Sequence, residues 1–209
     1  MSAVRILGIL AKRYPGTGMT DLGNPEDTLI ATLLSAQTTD VQVLRVYPTL
    51  RKRFPKLSDL AKAEVRDIEA CINSIGLYRN KAKAVKALAQ KLIKDFGGKV
   101  PSTMDELVSL PGVGRKTASV VLSFSFKQPA IAVDTHVFRI AKRLGWAKGK
   151  DPKRVEQELM SLIPKKRWSE VNRTMVPFGR DVCKAPKPQC WRCPVRSWCP
   201  YPKKVILSP

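Results

Sequence analysis

The sequence predicts an all-α fold, and three observations carry that reading. Apolar residues recur at helical spacing along nearly the whole chain, capping residues punctuate the runs, and only residues 130–133 have the make-up of a strand. Asn24-Pro25-Glu26-Asp27 supplies an N-cap, a proline at the first helical position and acids in the first turn. Leu29, Ile30, Leu33 and Leu34 then line one face. Ile68, Cys71, Ile72 and Ile75 share a face that Gly76 ends, and Ala82, Val85, Ala89, Leu92, Ile93 and Phe96 share another before Gly97-Gly98. Cys71, on such a face, is a core residue. Ser102 is expected to cap a short helix through Leu110, Pro111-Gly112-Val113-Gly114 to make a tight hairpin, and residues 115–126 to form a buried helix. Val137, Ile140, Ala141 and Leu144 mark the next helix, and Asp151-Pro152 opens another along Val155, Leu159, Leu162 and Ile163.

At 209 residues and 44% hydrophobic, the chain can bury a core as one large domain or two modest lobes. No apolar run reaches the ~18 residues of a membrane span, and the first 14 residues have helical periodicity instead of a signal peptide's apolar block. A soluble, non-secreted chain is expected, cytoplasmic and nucleoid-associated if prokaryotic, and a monomer. Lys and Arg number 38 against 17 Asp and Glu, a net charge of +21. The first 40 residues hold three basic and four acidic side chains, so the excess is spread downstream. That distribution suits a surface following a phosphate backbone better than a single basic arm.

Cys183, Cys190, Cys193 and Cys199 have the spacing C-x6-C-x2-C-x5-C. Four thiols within 17 residues do not serve an ordinary core, and a chain that is not secreted does not pair them as disulfides. Metal ligation remains, by zinc or by an iron-sulfur cluster. Zinc sites of four cysteines use two C-x2-C pairs; one pair with longer flanking loops can wrap the corners of a cubane.

The hairpin Leu110-Pro111-Gly112-Val113-Gly114-Arg115-Lys116 carries a second kind of chemistry. Gly112 and Gly114 permit backbone angles closed to other residues and let amides of a helix start point outward to grip a phosphate, which positions DNA without reading its sequence. Lys116 falls in the first turn of the following helix beside Arg115. Burial, the positive helix end and a neighbouring cation are the three influences able to make such a lysine a nucleophile. Asp134, in Val133-Asp134-Thr135-His136, either caps the next helix or relays a proton and stabilises positive charge on a sugar. His136, the chain's one histidine, is read as structural.

Together these residues resemble the endonuclease III branch of the helix-hairpin-helix DNA glycosylases, over residues 29–200. The resemblance rests on Leu33-Leu34-Ser35-Ala36-Gln37-Thr38-Thr39-Asp40, Ile75-Gly76-Leu77-Tyr78, the hairpin through Lys116, Ala132-Val133-Asp134-Thr135-His136 and the cysteine quartet. It implies a two-lobed fold: a six-helix barrel lobe over residues 18–128, with the helix-hairpin-helix near 105–124, and a cluster lobe from 1–17 plus 129–209. It implies a four-iron four-sulfur cluster on the loop 183–199, held by the four cysteines. The implied partner is double-stranded DNA with damaged bases or abasic sites. The implied activity is removal of oxidised pyrimidines followed by β-elimination, with Lys116 attacking the sugar and forming a Schiff base that Asp134 supports. Gln37 and Leu77 fill the gap left by the extruded nucleotide. Gly112, Gly114 and Arg115 hold backbone, and Lys184, Lys187, Arg192 and Arg196 present a basic loop to it. Residues 168–180 follow the family pattern loosely apart from Gly179-Arg180, which leaves the range of lesions open. Two alternatives stand beside this: a monofunctional mismatch glycosylase, whose members generally lack a lysine at the position of Lys116, and a non-enzymatic DNA-binding module.

Overall fold

The computed structural model describes residues 1–15 and 22–207. The chain divides into two units, one of Met1–Gly18 with Gln128–Pro209 and the other of Met19–Lys127. Among the described residues the regular structure is helical, with no strand. No described helix is long and apolar enough to cross a membrane.

Helix α1 (Ala3–Arg13) belongs to the first unit. Ser2 caps it, and it buries Ile6, Leu7 and Leu10 on one face. The second unit starts with α2 (Pro25–Leu34), capped by Asn24, whose side-chain oxygen accepts the Asp27 amide at 2.8 Å. From Thr28 to Leu34 every residue of α2 is buried, so this is a central helix surrounded by others. Helix α3 (Asp40–Arg53) opens with a reciprocal capping box between Thr39 and Gln42. Its Tyr47 hydroxyl and Arg51 guanidinium both bond Asp27 of α2, each at 2.5 Å. Short α4 (Leu57–Lys62) and α5 (Val65–Ile72) pack on α6 (Tyr78–Phe96). Gly97 (φ 58°) and Gly98 (φ 78°) end α6, and the Gly98 amide returns to the Leu92 carbonyl at 2.9 Å, a left-handed stop that favours glycine.

Helix α7 (Met104–Val108) and α8 (Arg115–Phe124) flank the hairpin. The expected cap shifts by one residue: Thr103, not Ser102, receives the Glu106 amide at 3.3 Å, and its hydroxyl donates to the Glu106 carboxylate at 2.6 Å. Glu106 stands three residues after Thr103, the spacing a capping box needs. The helix also stops at Val108, two residues before Leu110.

The first unit resumes with α9 (Thr135–Arg143), α10 (Pro152–Leu162, capped by Asp151) and α11 (Trp168–Asp181). Leu7, Leu10, Ile140, Val171, Met175 and Phe178 meet in its core. Full burial of each such side chain contributes roughly 1.5–3 kcal/mol. The strand-like residues 130–133 are buried, but they pair with a side chain. The Asn172 amide accepts from the Ala132 N–H at 2.8 Å and donates to its carbonyl at 2.5 Å. One asparagine of α11 satisfies backbone groups that a neighbouring strand would otherwise satisfy.

Candidate active site and cysteine cavity

In the second unit, Lys116 is the second residue of α8 and is exposed. Of the three influences invoked for it from sequence, burial is therefore lacking, while the helix start and Arg115 are in place. The hairpin before it closes through the Val113 amide on the Leu110 carbonyl at 3.1 Å, with Val113 buried. Its two glycines do different work. Gly112 has φ 74°, and a Cβ there would meet Leu33 Cδ1 at 3.1 Å and Ala84 Cβ at 3.2 Å, so it is required by conformation and by the close approach of α2 and α6. Gly114 has φ −94°, open to any residue, which corrects the expectation of a special angle. It is the N-cap of α8 and brings no side-chain cap, and nothing lies within 4 Å of where its Cβ would be. An approaching phosphate thus finds a helix start uncovered by side chains.

Gln37 and Leu77 share an unusual backbone. Both are non-glycine residues in the left-handed region, at φ 53° and φ 59°, and both are exposed, Leu77 by 53%. Such angles cost on the order of 1–3 kcal/mol each and persist only where the surroundings enforce them. A large apolar side chain held out in solvent on a strained turn has no folding role there.

In the first unit, Asp134 caps α9, its Oδ1 accepting the Val137 amide at 2.8 Å. His136 sits one residue into α9 with Nδ1 3.1 Å from the Arg139 guanidinium, a structural setting as expected. Gly179 explains why Gly179-Arg180 stands out in a loosely matching helix. A Cβ there would lie 2.7 Å from His136 Nδ1, so only glycine lets α11 approach α9 so closely.

The four cysteines line one pocket, whose walls include Ile140, Leu144, Phe178, Val182 and Val195. Burial in that apolar wall pushes the Cys193 thiol up to about 11, with the three other thiols adding to the rise, and burial raises Cys199 as well. A bound metal cation is what turns such thiols into thiolates. Among the described residues no three His, Cys, Asp or Glu side chains converge tightly enough to hold a single metal ion. Four cysteines lining one pocket are a donor set that fits a four-iron four-sulfur cluster.

Two arginines of α9, which sequence reasoning missed, hold the loop that begins at Cys183. Arg139 donates to the Cys183 carbonyl at 2.9 Å and the Gly179 carbonyl at 3.2 Å. Arg143 reaches the carbonyls of Lys184 at 2.7 Å and Ala185 at 2.8 Å, and Cys183 Sγ at 3.4 Å. Their spacing of four places both on one face of α9, the one signal the sequence offered.

The basic loop divides. Lys184, Lys187 and Arg196 are exposed. Arg192 is not available in the same way: it pairs with the Asp181 carboxylate and donates to the Asp181 carbonyl at 2.9 Å and Gln189 at 2.7 Å. Asp181 also accepts from the Tyr14 hydroxyl at 2.6 Å. The hydrogen bond from Arg192, then that from Tyr14, holds the Asp181 carboxyl below its usual range, while burial and the same bond push the Tyr14 phenol up to about 12. Arg192 ties the loop to α11 and, through Asp181, to the end of α1.

Residues 30–165 match the family model described as HhH-GPD superfamily base excision DNA repair protein. Endonuclease III of Synechocystis sp. is 46% identical over 200 residues, covering 95% of this chain and 91% of that protein. The solved structure of a trapped endonuclease III–DNA covalent intermediate, an estranged-adenine complex, superposes with a TM-score of 0.90 at 45% identity, covering 94% of this chain and 93% of that one. A thermostable thymine-DNA glycosylase superposes with a TM-score of 0.81 at 26% identity, covering 94% and 92%. With more than half its length matched by the family model and nearly all of it shared with such a relative, this chain belongs to the HhH-GPD superfamily of base excision DNA repair proteins, in its endonuclease III branch.

Proposed function

We propose that the chain is a bifunctional DNA glycosylase and abasic-site lyase that removes oxidised pyrimidines from duplex DNA, with Lys116 as nucleophile. The observation that carries this reading is a lysine exposed in the first turn of α8, directly after a hairpin shaped to take a DNA phosphate. The phosphate contact sets the register, and Lys116 follows at a fixed distance along the helix. Its unprotonated Nζ attacks the sugar C1′, the bond from C1′ to the base breaks, and the base leaves with the electron pair. The nitrogen then loses a proton and the C1′–O4′ bond opens, O4′ taking up a proton, which gives the Schiff base; loss of a proton from C2′ expels the 3′ phosphate by β-elimination, and water hydrolyses the C=N bond to release the enzyme.

Asp134 has one oxygen occupied by its cap, which fixes the carboxylate, and the second oxygen serves the proton traffic and the positive charge on the sugar. Gln37 and Leu77 enter the stack as the damaged nucleotide leaves, the amide facing the orphaned base and the leucine filling the gap. Gly112, Gly114 and Arg115 hold the backbone, with Lys184 and Lys187 contributing from the loop. Cys183, Cys190, Cys193 and Cys199 hold a four-iron four-sulfur cluster that supplies a structural cross-link and no position for substrate. The bacterial relatives and the DNA partner support work at the nucleoid in the cytoplasm.

Borohydride added during incubation with abasic-site DNA is expected to trap a covalent complex that Lys116→Ala abolishes. No trapping by the intact protein would overturn the lyase reading. Base release persisting without it would then favour the monofunctional alternative, and retained binding with neither activity the binding module.

A further inference from the structure

The second unit contains a buried lysine that the chemistry above does not use. Lys81, in the first turn of α6, is 5% exposed, and its Nζ donates to Thr38 Oγ1 at 2.5 Å. An ammonium is a costly filler for a buried gap, because it must give up its water, and burial lowers the pKa of Lys81 accordingly. What this bond joins is the pair of turns that hold Gln37 and Leu77. Thr38 follows Gln37 in one turn, and the Leu77 carbonyl of the other accepts the Lys81 amide at 3.0 Å. The turns also touch directly: a Cβ at Gly76 would lie 3.7 Å from Thr38 Oγ1 and 3.8 Å from the Gln37 carbonyl oxygen. Each turn carries its exposed residue at a positive φ, an arrangement that needs support from outside the turn.

We propose that Lys81 is a positioning residue for base extrusion, whose buried hydrogen bond to Thr38 locks the Gln37 turn to the Leu77 turn so that the two enter DNA as one wedge. The proposal rests on the reading that Gln37 and Leu77 fill the gap. Separate wedges would each have to be ordered when the stack opens; a locked pair has met that cost in advance.

The test uses the full chain, a duplex carrying one oxidised pyrimidine on which excision is timed, and two probe substrates. One is a duplex with 2-aminopurine opposite a tetrahydrofuran abasic analogue, whose fluorescence rises as the wedge unstacks the probe. The other is a single-stranded abasic oligonucleotide, which has no stack to open. Lys81→Met and Thr38→Val are each expected to lower the fluorescence rise and to slow single-turnover excision from duplex about tenfold, equal to about 1.4 kcal/mol. Strand cleavage of the single-stranded substrate keeps its rate, whereas a merely destabilised protein would lose both. The double variant falls no further than either single one, because one bond is being removed. Multiplying losses, or equal losses on both substrates, overturn the coupling. If Lys81→Met does not fold, Thr38→Val breaks the same bond from its less buried end. Gln37→Ala and Leu77→Ala separate the two ideas: if they leave the fluorescence unchanged, the wedge reading itself fails, and if they lower it while Lys81→Met and Thr38→Val do not, only the coupling fails.

Discussion

The carboxylate of Asp134 does two things at once on the reading above, and a single substitution separates them. Its Oδ1 caps α9 through the Val137 amide, and asparagine caps a helix about as well as aspartate. Asp134→Asn therefore keeps the helix start, and its thermal midpoint is expected to stay within about 2 °C of the parent, a change of under about 0.5 kcal/mol. What it removes is the charge and the proton-accepting oxygen. Excision is expected to slow by about 10²-fold or more, the scale of a lost general base. Turnover close to the parent's would leave Asp134 with its cap alone. Gly112 tests the hairpin at the same scale. Alanine there meets the Ala84 methyl, which has no rotamer to yield, at a φ of 74°. A loss of about 2 kcal/mol is expected, seen as a midpoint lower by about 4–8 °C, whereas Gly114→Ala, at φ −94° in open space, is expected to leave the midpoint nearly unchanged and to weaken DNA binding.

Between elements, the ties that matter are polar and distant in sequence. Asp27 of α2 accepts from Tyr47 and Arg51 of α3. Burial alone would raise its pKa, but the hydrogen bonds from Tyr47, Asn24 and Arg51 outweigh it and leave the folded value below that of an ordinary aspartate. The stability this contributes is fully present above the unfolded pKa and is lost as pH falls through the folded one. Urea midpoints of the parent are expected to drop on acidification below about pH 4, and those of Asp27→Asn to start lower and drop less; parallel curves would show that Asp27 is not the group titrating. The same geometry marks what the sequence made legible. Asn24, Asp151 and Gly97 announced helix ends because caps act within three or four residues, and the hairpin at Gly112 and the shared pocket of the four cysteines were foreshadowed by local spacing. Arg139 and Arg143 did not, since the carbonyls they hold lie some 40 residues on, and only folding brings α9 to the loop. Lys81 was equally silent: in a chain with 38 basic residues nothing local distinguishes the one that turns inward to Thr38. The cap of α7 was misplaced by one residue because Ser102 and Thr103 are both able caps, and Glu106 decides between them.

For the whole molecule, a net charge of +21 makes binding to DNA a matter of counterion release, so the salt dependence of affinity counts the phosphates engaged. Lys184 and Lys187 project into solvent between Cys183 and Cys190, while Arg192, between Cys190 and Cys193, is drawn inward to Asp181. Equal charges at neighbouring positions therefore predict different phenotypes. Replacing Lys184 and Lys187 together by alanine is expected to lower the slope of log affinity against log salt by about 1.8, near 0.9 per lost phosphate contact, with the thermal midpoint and the visible absorption of the cluster retained. Arg192→Ala is expected to do the reverse. It strips Asp181 of its cationic partner, frees the Gln189 side chain and loosens the segment on which Cys190 and Cys193 sit, so the visible absorption bleaches faster on storage in air while the salt slope changes little. Binding titrations at four salt concentrations, run beside absorption spectra of the same samples, read both effects. A slope that falls with Arg192→Ala and holds with the double lysine variant would place Arg192 against DNA and the lysines in bulk solvent.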